Sequence, residues 1–179
     1  MAGHARSVDS LQLIYTILEV PWGWVGLIAS ASGIRRLILP GESPEVVLRL
    51  IVGKFGDILN PQPPSSPAFS NVVSQLTAYF KGEPTRFTAK LDLTGATAFQ
   101  NRVWDVTRKI PYGETRSYRW VAEAAGCPQG FRAVGQALGA NPVPLLIPCH
   151  RVISSYTGPG GYSGGIWVKE ALLRLETAA

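Results

Sequence analysis

The chain contains 179 residues, of which 46% are hydrophobic and 16% are charged. This length predicts one domain or two small ones, and this composition excludes a disordered chain, which would be polar and highly charged. The net charge of +5 permits an anionic partner such as nucleic acid without identifying one.

The first part of the chain has the pattern of a small sheet. Apolar segments at residues 11–20, 24–29 and 34–39 are separated by turns that contain glycine. This spacing predicts an antiparallel meander of three strands. The longest apolar stretch lies in the same region, but Pro21, glycines and two arginines interrupt it, so we expect no membrane-spanning helix.

Two helices are predicted next, with a proline-rich loop between them. Ser43 and Pro44 suit the start of a helix that runs towards Phe55, because proline is favoured at the first helical position. Four prolines within residues 60–67 exclude a helix or the interior of a strand, so we expect a loop there. Apolar residues at helical spacing then predict a helix at residues 69–80.

An extended segment at residues 87–93 is predicted to connect the two halves of the chain. We place the domain boundary within it, which gives an N-terminal α/β domain at residues 1–91 and a C-terminal domain at residues 92–179. The predicted fold class is α/β in the α+β sense. The first domain has an antiparallel sheet with helices, and the second is mostly helical.

The C-terminal half is predicted to open with an amphipathic helix at residues 97–110, with Thr97 as its N-cap. Two short helices, at residues 117–125 and 131–138, then flank a turn that contains glycine and proline. This is the pattern of a helix-turn-helix unit. It favours DNA binding, but the same pattern also occurs in helix pairs that bind nothing.

Two irregular segments precede the last predicted helix, at residues 166–176. Residues 141–148 contain three prolines around an apolar centre, so we expect a buried, non-helical support. Residues 158–165 contain five glycines. They predict either a flexible surface loop or a loop whose backbone approaches a ligand closely.

The most chemically informative residues are Cys149 and His150, between Pro148 and Arg151. Positive charge stabilises a thiolate, and a histidine can remove the thiol proton. Adjacent side chains generally point apart, so a bridging water is expected to carry that proton.

A carboxylate on the other imidazole nitrogen would raise the basicity of His150. Sequence spacing alone leaves Glu170 and Glu176 as alternatives for this carboxylate. The competing interpretation of the whole segment is a buried cysteine beside a structural histidine–arginine pair.

The residue pattern gives no support for a metal or nucleotide site. Two cysteines 22 positions apart, Cys127 and Cys149, and two scattered histidines match no zinc spacing. A phosphate-binding GxxxxGK[ST] motif is absent from the sequence. We therefore expect no metal and no cofactor. Because two cysteines are too few to hold a secreted fold together by disulfides, the sequence also predicts a reducing compartment, the cytoplasm.

Residues 147–152, with the sequence IPCHRV, resemble the acceptor-site signature of O6-alkylguanine-DNA alkyltransferases. Further segments are similar to the family in the same order: Phe99-Gln100 with Val103-Trp104, residues 110–115 with Ser117-Tyr118, residues 132–135, Asn141-Pro142, and residues 161–165 before the last helix. The resemblance covers about residues 91 to 176. Residues 1–90 resemble the family only loosely.

The resemblance implies DNA repair by direct damage reversal. In this family a cysteine takes the alkyl group from O6 of guanine, and also from O4 of thymine, after the base has flipped out of the duplex. Carried over to this sequence, Cys149 is the nucleophile, His150 activates it through water, and Glu176 orients His150. The thioether product is stable, so each molecule acts once.

The other roles that the resemblance implies concern DNA and the guanine pocket. Arg132 resembles the arginine that fills the gap left by the flipped base, and Tyr118 resembles the tyrosine that contacts the flipped nucleotide and protonates the leaving guanine. Asn141 resembles the asparagine that ties the helix-turn-helix to the active site. DNA contacts are also implied for Ser117, Ala133 and Gly135, and pocket contacts for Asn141, Pro144, Val152, Tyr162, Ser163 and Gly164.

The implied partner is double-stranded DNA, bound by a monomer through the minor groove and largely without sequence preference. Two rivals are a non-catalytic alkyltransferase-like protein, which would lack the thiol of Cys149, and a helix-turn-helix regulator, which would prefer one DNA sequence. A cysteine hydrolase is a third, and it would turn over repeatedly without DNA. Cys127 matches no functional position of the family.

Overall fold

The computed structural model describes residues 13–56, 59–154, 161–162 and 164–177. Its first three strands are β1 (Ile14–Val20), β2 (Gly23–Ser30) and β3 (Gly33–Gly41), which pair as the predicted antiparallel meander. The start of the first predicted strand, at residues 11–12, lies outside the described residues.

The proline-rich segment is only in part the predicted loop. Its first two residues form β4 (Asn60–Pro61), which pairs in parallel with β1 and completes a sheet of order β3-β2-β1-β4. The prediction missed this strand because prolines usually exclude pairing. At a sheet edge, however, no further strand needs the missing N–H of a proline.

The outer edge of β3 is covered by the connecting segment that was predicted to be extended. The Ile34 N–H donates to the Lys90 carbonyl at 2.8 Å, and the Asp92 N–H donates to the Ile34 carbonyl at 2.9 Å. This approach requires glycine at position 33, where φ is 137° and a Cβ would lie 2.4 Å from the Lys90 carbonyl oxygen.

Two helices pack on opposite faces of this sheet. Helix α1 (Pro44–Phe55) begins as predicted at Ser43, whose side chain accepts a hydrogen bond from the Val46 N–H, and it buries Val47 and Ile51. Helix α2 (Ser70–Phe80) buries its apolar side in the main core. Tyr79, near the end of α2, is thereby directed towards the C-terminal half.

The C-terminal half is mostly helical, as predicted. Its helices are α3 (Ala98–Thr107), α4 (Tyr118–Ala124), α5 (Phe131–Gly139) and α6 (Ile166–Thr177). Thr97 caps α3 as expected, in a capping box with Gln100. Helix α3 ends at Thr107 rather than at Ile110, because turns precede Pro111.

Helices α4 and α5 pack against each other across a turn, in the predicted order. A short parallel pair, β5 (Arg116–Ser117) with β6 (Val152–Ile153), links the start of α4 to the segment after Cys149. Two-residue strands leave no periodic pattern, so the sequence did not predict this pair.

One apolar core runs through both halves, and it includes Leu76 of α2, Val103 of α3 and Leu172 of α6. The division at residue 91 stays a prediction. No helix in the described part of the chain is long and apolar enough to cross a membrane.

Candidate active site

The segment before Cys149 is buried and irregular, as predicted, and its polar groups are paired. The Asn141 side chain organises it: Oδ1 accepts from the Val143 N–H at 3.0 Å, and Nδ2 donates to the Ile147 carbonyl at 2.8 Å. These bonds replace the hydrogen bonds that a helix would supply. They set the position of a 3-10 helix at Cys149–Arg151, whose residues are all buried.

Cys149 is only 5% exposed, and its Sγ accepts a hydrogen bond from Asn141 Nδ2 at 3.1 Å. Burial raises the pKa of the thiol above its ordinary value, although the Asn141 hydrogen bond and the charge of Lys169 act in the opposite direction. The group is therefore a protonated thiol at neutral pH. Any nucleophilic reaction at this sulfur requires that its proton be removed.

His150 is fully buried, and its Nε2 lies 2.7 Å from Glu176 Oε1. Of the two carboxylates left open by the sequence, Glu176 is the partner, whereas Glu170 is exposed. Burial lowers the pKa of His150, so the imidazole is neutral. With the proton on Nε2 facing the carboxylate, Nδ1 is a base, and it is buried without a hydrogen-bond partner in the described part of the chain.

Glu176 is held by donors from several elements. Oε1 accepts from the Tyr79 hydroxyl at 2.7 Å, from Arg151 Nη2 at 3.0 Å and from His150, while Oε2 accepts from Arg151 Nε at 2.9 Å and from the Gly113 N–H at 3.1 Å. Burial alone would raise the pKa of this carboxyl. The hydrogen bonds from His150 and Arg151 outweigh it and lower the pKa to about 2.

Arg151 makes structural contacts with a backbone carbonyl and a carboxylate. Besides Glu176, it donates through Nη1 to the Ile110 carbonyl at 2.7 Å. The segment is thus more than a structural histidine–arginine pair. It combines a thiol with a neutral imidazole base, and the ionised Glu176 carboxylate, whose two oxygens both accept hydrogen bonds, orients that base.

Two residues at the site were not among the predicted site residues. The sequence places Tyr79 on the apolar side of the helix predicted at residues 69–80 and in the segment 76–80, which resembles the family only loosely, and neither pattern marks its hydroxyl. Lys169 is fully buried in α6, its Nζ donates to the Val152 carbonyl at 2.5 Å, and burial lowers its pKa to about 8. A lysine on the same helical face as Leu172 and Glu176 is the signal that could have revealed it.

The predicted pocket residues are partly brought together. The Tyr118 hydroxyl donates to the Gly161 carbonyl at 3.4 Å, and Lys169 Nζ lies 5.7 Å from the centre of the Tyr118 ring. Burial and the neighbouring Cys149 raise the pKa of Tyr162. Gly164 lies so close to Leu39 of β3 that a Cβ there would be 2.7 Å from Leu39 Cδ1.

Other predicted residues are less directly connected with the thiol. Pro144 and Val152 are buried, and their pocket contacts stay predictions. Ser163 lies outside the described residues. Among the residues with implied DNA contacts, Ser117 caps α4 through the Trp120 N–H at 3.0 Å, and Arg132 is exposed in the first turn of α5. On the same helix, Ala133 and Gly135 are half-buried.

Comparison with known proteins identifies the family. The model for the DNA-binding domain of 6-O-methylguanine DNA methyltransferase matches residues 98–178, and the model for its ribonuclease-like domain matches residues 13–93. A methylated-DNA–protein-cysteine methyltransferase of Mycobacterium tuberculosis is 54% identical over 146 residues, which cover 81% of this chain and 88% of the relative. The chain belongs to the 6-O-methylguanine DNA methyltransferase family.

Further members of the methyltransferase family agree in sequence and fold. A constitutive methylated-DNA–protein-cysteine methyltransferase of Bacillus subtilis is 37% identical, over 90% of this chain and 94% of the relative. The crystal structure of Mycobacterium tuberculosis OGT in complex with DNA superimposes with a TM-score of 0.77 at 42% identity, covering 92% of this chain and 93% of that chain. The α/β fold and the recognition of the family from sequence are thereby confirmed.

Proposed function

We propose that this protein repairs O6-alkylguanine, and also O4-alkylthymine, in double-stranded DNA by transferring the alkyl group to Cys149. The observation that carries the proposal is the buried thiol next to a neutral histidine whose Nε2 is bound to the buried carboxylate of Glu176. Membership of the methyltransferase family supports the same reaction.

The reaction forms one bond and breaks one. The Cys149 sulfur attacks the alkyl carbon, the S–C bond forms, and the bond between that carbon and O6 of guanine breaks. His150 Nδ1 receives the thiol proton through a water molecule, and Tyr118 donates a proton to the leaving guanine. Transfer of the proton from the protonated His150 to the deprotonated Tyr118 then returns both side chains to their neutral forms.

The burial of the sulfur makes proton removal part of the reaction. A thiolate at this position would lack water, and burial already raises the pKa of Cys149. The hydrogen bond from Asn141 stabilises the charge that develops on sulfur while the bond to carbon forms. The resulting thioether is uncharged and resists hydrolysis, so each molecule reacts once and needs no cofactor or metal.

The DNA must deliver its base to this buried site. O6 of guanine lies inside the duplex, so the nucleotide has to flip out before the sulfur can reach the alkyl carbon. Helices α4 and α5 enter the minor groove, and Arg132 fills the gap in the base stack. The net charge of +5 supports phosphate contacts with little sequence preference. The protein acts as a monomer in the reducing cytoplasm.

The function is tested by intact-protein mass spectrometry. After incubation with duplex DNA that contains one O6-methylguanine, we expect the protein to gain the mass of one methylene unit, because methyl replaces the thiol hydrogen. Peptide mapping should place the methyl group on Cys149. A protein that binds this duplex and gains no mass would instead be the non-catalytic alkyltransferase-like protein.

Arg132→Ala is expected to slow repair of duplex DNA by roughly 10- to 100-fold, because the flipped state loses the side chain that replaces the base. Reaction with free O6-benzylguanine, which needs no flipping, should keep the wild-type rate. Arg49→Ala is the matched control, since it removes one exposed arginine from α1. Equal losses with both substrates would show that Arg132 acts on the chemistry or on the fold.

A further inference from the structure

The N-terminal half supplies a hydroxyl to the active site through Tyr79 of α2. The Tyr79 side chain is fully buried, and its hydroxyl donates to Glu176 Oε1 at 2.7 Å and lies 3.4 Å from His150 Nε2. His150 and Glu176 both come from the C-terminal half. Tyr79, which comes from the N-terminal half, therefore contacts the hydrogen-bonded pair of His150 and Glu176 in the C-terminal half.

We propose that Tyr79 is a positioning residue for alkyl transfer, whose hydroxyl shares Glu176 Oε1 with His150 and so limits the basicity of the imidazole. The inference rests on the proposed function, in which His150 takes the thiol proton. It adds an N-terminal residue to the hydrogen bond between Glu176 and His150.

The direction of donation is fixed by the charge of Glu176. Hydrogen bonds from His150 and Arg151 lower the pKa of this carboxyl to about 2, so it is ionised and can only accept. Burial and the negative charge of Glu176 raise the pKa of Tyr79, so the phenol keeps its proton. The short Tyr79–Glu176 contact is therefore a charge-assisted hydrogen bond from hydroxyl to carboxylate.

When several donors share one carboxylate oxygen, each of their hydrogen bonds to that oxygen is weaker. Glu176 Oε1 accepts from Tyr79, His150 and Arg151 within the described part of the chain. Each hydrogen bond withdraws negative charge from the oxygen, and the negative charge facing His150 Nε2 is what stabilises the imidazolium. Loss of the Tyr79 hydroxyl leaves more charge for His150 and makes the imidazole a stronger base.

Several other charged and titratable groups surround the pair of His150 and Glu176. Arg151 of the 3-10 helix and Lys169 of α6 lower the pKa of His150 electrostatically, and Glu176 raises it. Cys149 precedes His150 on the same 3-10 helix. Tyr112 and Gly113 approach Glu176 from the turn after α3, and Tyr162 is influenced by the same carboxylate. Tyr79→Phe removes none of these side chains, so the hydroxyl of Tyr79 is the one group that the substitution deletes.

The Tyr79 ring is held by packing that does not need its hydroxyl. Its neighbours are Phe80, Phe87 and Tyr112, with ring centroids at 5.4, 5.7 and 5.9 Å. Phenylalanine keeps these contacts, so Tyr79→Phe isolates the hydrogen bond. Tyr112→Phe is the matched control, because the Tyr112 hydroxyl donates only to the Gly82 and Leu175 carbonyls among the described residues.

The test is the pH dependence of methyl transfer from O6-methylguanine duplex, with the His150 titration followed by NMR. Loss of one hydrogen bond of ordinary strength predicts that the acid limb of Tyr79→Phe moves to higher pH by about half a unit to one unit. Tyr112→Phe should keep the wild-type limb. Substitution of Tyr79 by a difluorotyrosine, a stronger donor with the same ring, should move the limb to lower pH.

Profiles of both Tyr79 variants that coincide with the wild type would overturn the inference, as would a shift that Tyr112→Phe reproduces. The difluorotyrosine protein keeps the test decisive if Tyr79→Phe does not fold. Failure of the proposed function has a different signature, because the wild-type protein would then transfer no methyl group at any pH.

Discussion

Cys149→Ser is expected to abolish alkyl transfer while the protein stays folded and still binds duplex DNA. A serine hydroxyl is a far weaker nucleophile than a thiol, and the buried His150 base is neutral and too weak to ionise it. We expect the transfer rate to fall by on the order of 10⁴-fold or more, to below detection. Transfer of a radioactive methyl group from DNA to protein measures the rate directly.

Cys127→Ser is the control for this variant, since it makes the same substitution at the other cysteine. Cys127 is half-buried between α4 and α5 and is a free thiol, like Cys149. The Cys127→Ser protein should transfer the methyl group at the wild-type rate. Residual labelling of Cys149→Ser that disappears in the double variant would mean that Cys127 is an acceptor, in contradiction to a single acceptor site.

Glu176→Gln is expected to cost both stability and activity. The carboxylate pairs with Arg151, which is itself only 6% exposed, so the amide leaves a buried guanidinium without its counter-charge. Breaking a buried pair in this way typically lowers the free energy of unfolding by about 3–5 kcal/mol. Urea unfolding measures this loss, and the transfer rate should also fall because His150 loses the charge that supports its protonated form.

The acid dependence of stability gives this variant a second signature. The pKa of Glu176 is about 2 in the folded protein, below the ordinary carboxyl value. The unfolded chain therefore takes up a proton at higher pH than the folded one, so this stabilisation is complete above about pH 5 and is lost as the pH falls towards 2. The Glu176→Gln protein should lack that part of the acid dependence.

Glu170→Gln provides the matched control for both measurements. Glu170 lies on the same helix but is exposed. Its replacement should leave the free energy of unfolding within about 0.5 kcal/mol of the wild type, as for most surface substitutions. Equal effects of the two glutamine variants would show that the carboxylate bonded to His150 does not act as described.

Most of the fold was predictable because its signals are local. Alternating apolar segments and glycine turns marked the meander, Ser43 and Thr97 marked helix starts, and prolines marked the irregular support before Cys149. The sequence did not predict two-residue strands such as Asn60–Pro61, because their pairing depends on a backbone segment that is distant in the chain rather than on their own residues.

The sequence allowed Cys149, His150 and Glu176 to be predicted as candidate site residues, but not the Tyr79 side chain that hydrogen-bonds to Glu176 from elsewhere in the chain. The order of Cys149 and His150 is visible in the sequence, and the family resemblance singled out Glu176. The Tyr79 hydroxyl reaches Glu176 across 97 positions of the chain. Such a contact depends on how α2 and α6 are placed relative to each other in the fold, and no spacing within either helix contains that information.

The strand β3 also bears on how copies of this protein meet one another. The unpaired edge of a strand is a template on which a second molecule can extend the sheet. Here the Ile34 end of that edge is paired with residues 90–92, and the Leu37 N–H donates to the Pro142 carbonyl at 3.0 Å. The buried segment before Cys149 thus also helps to shield the N-terminal sheet from edge-to-edge aggregation.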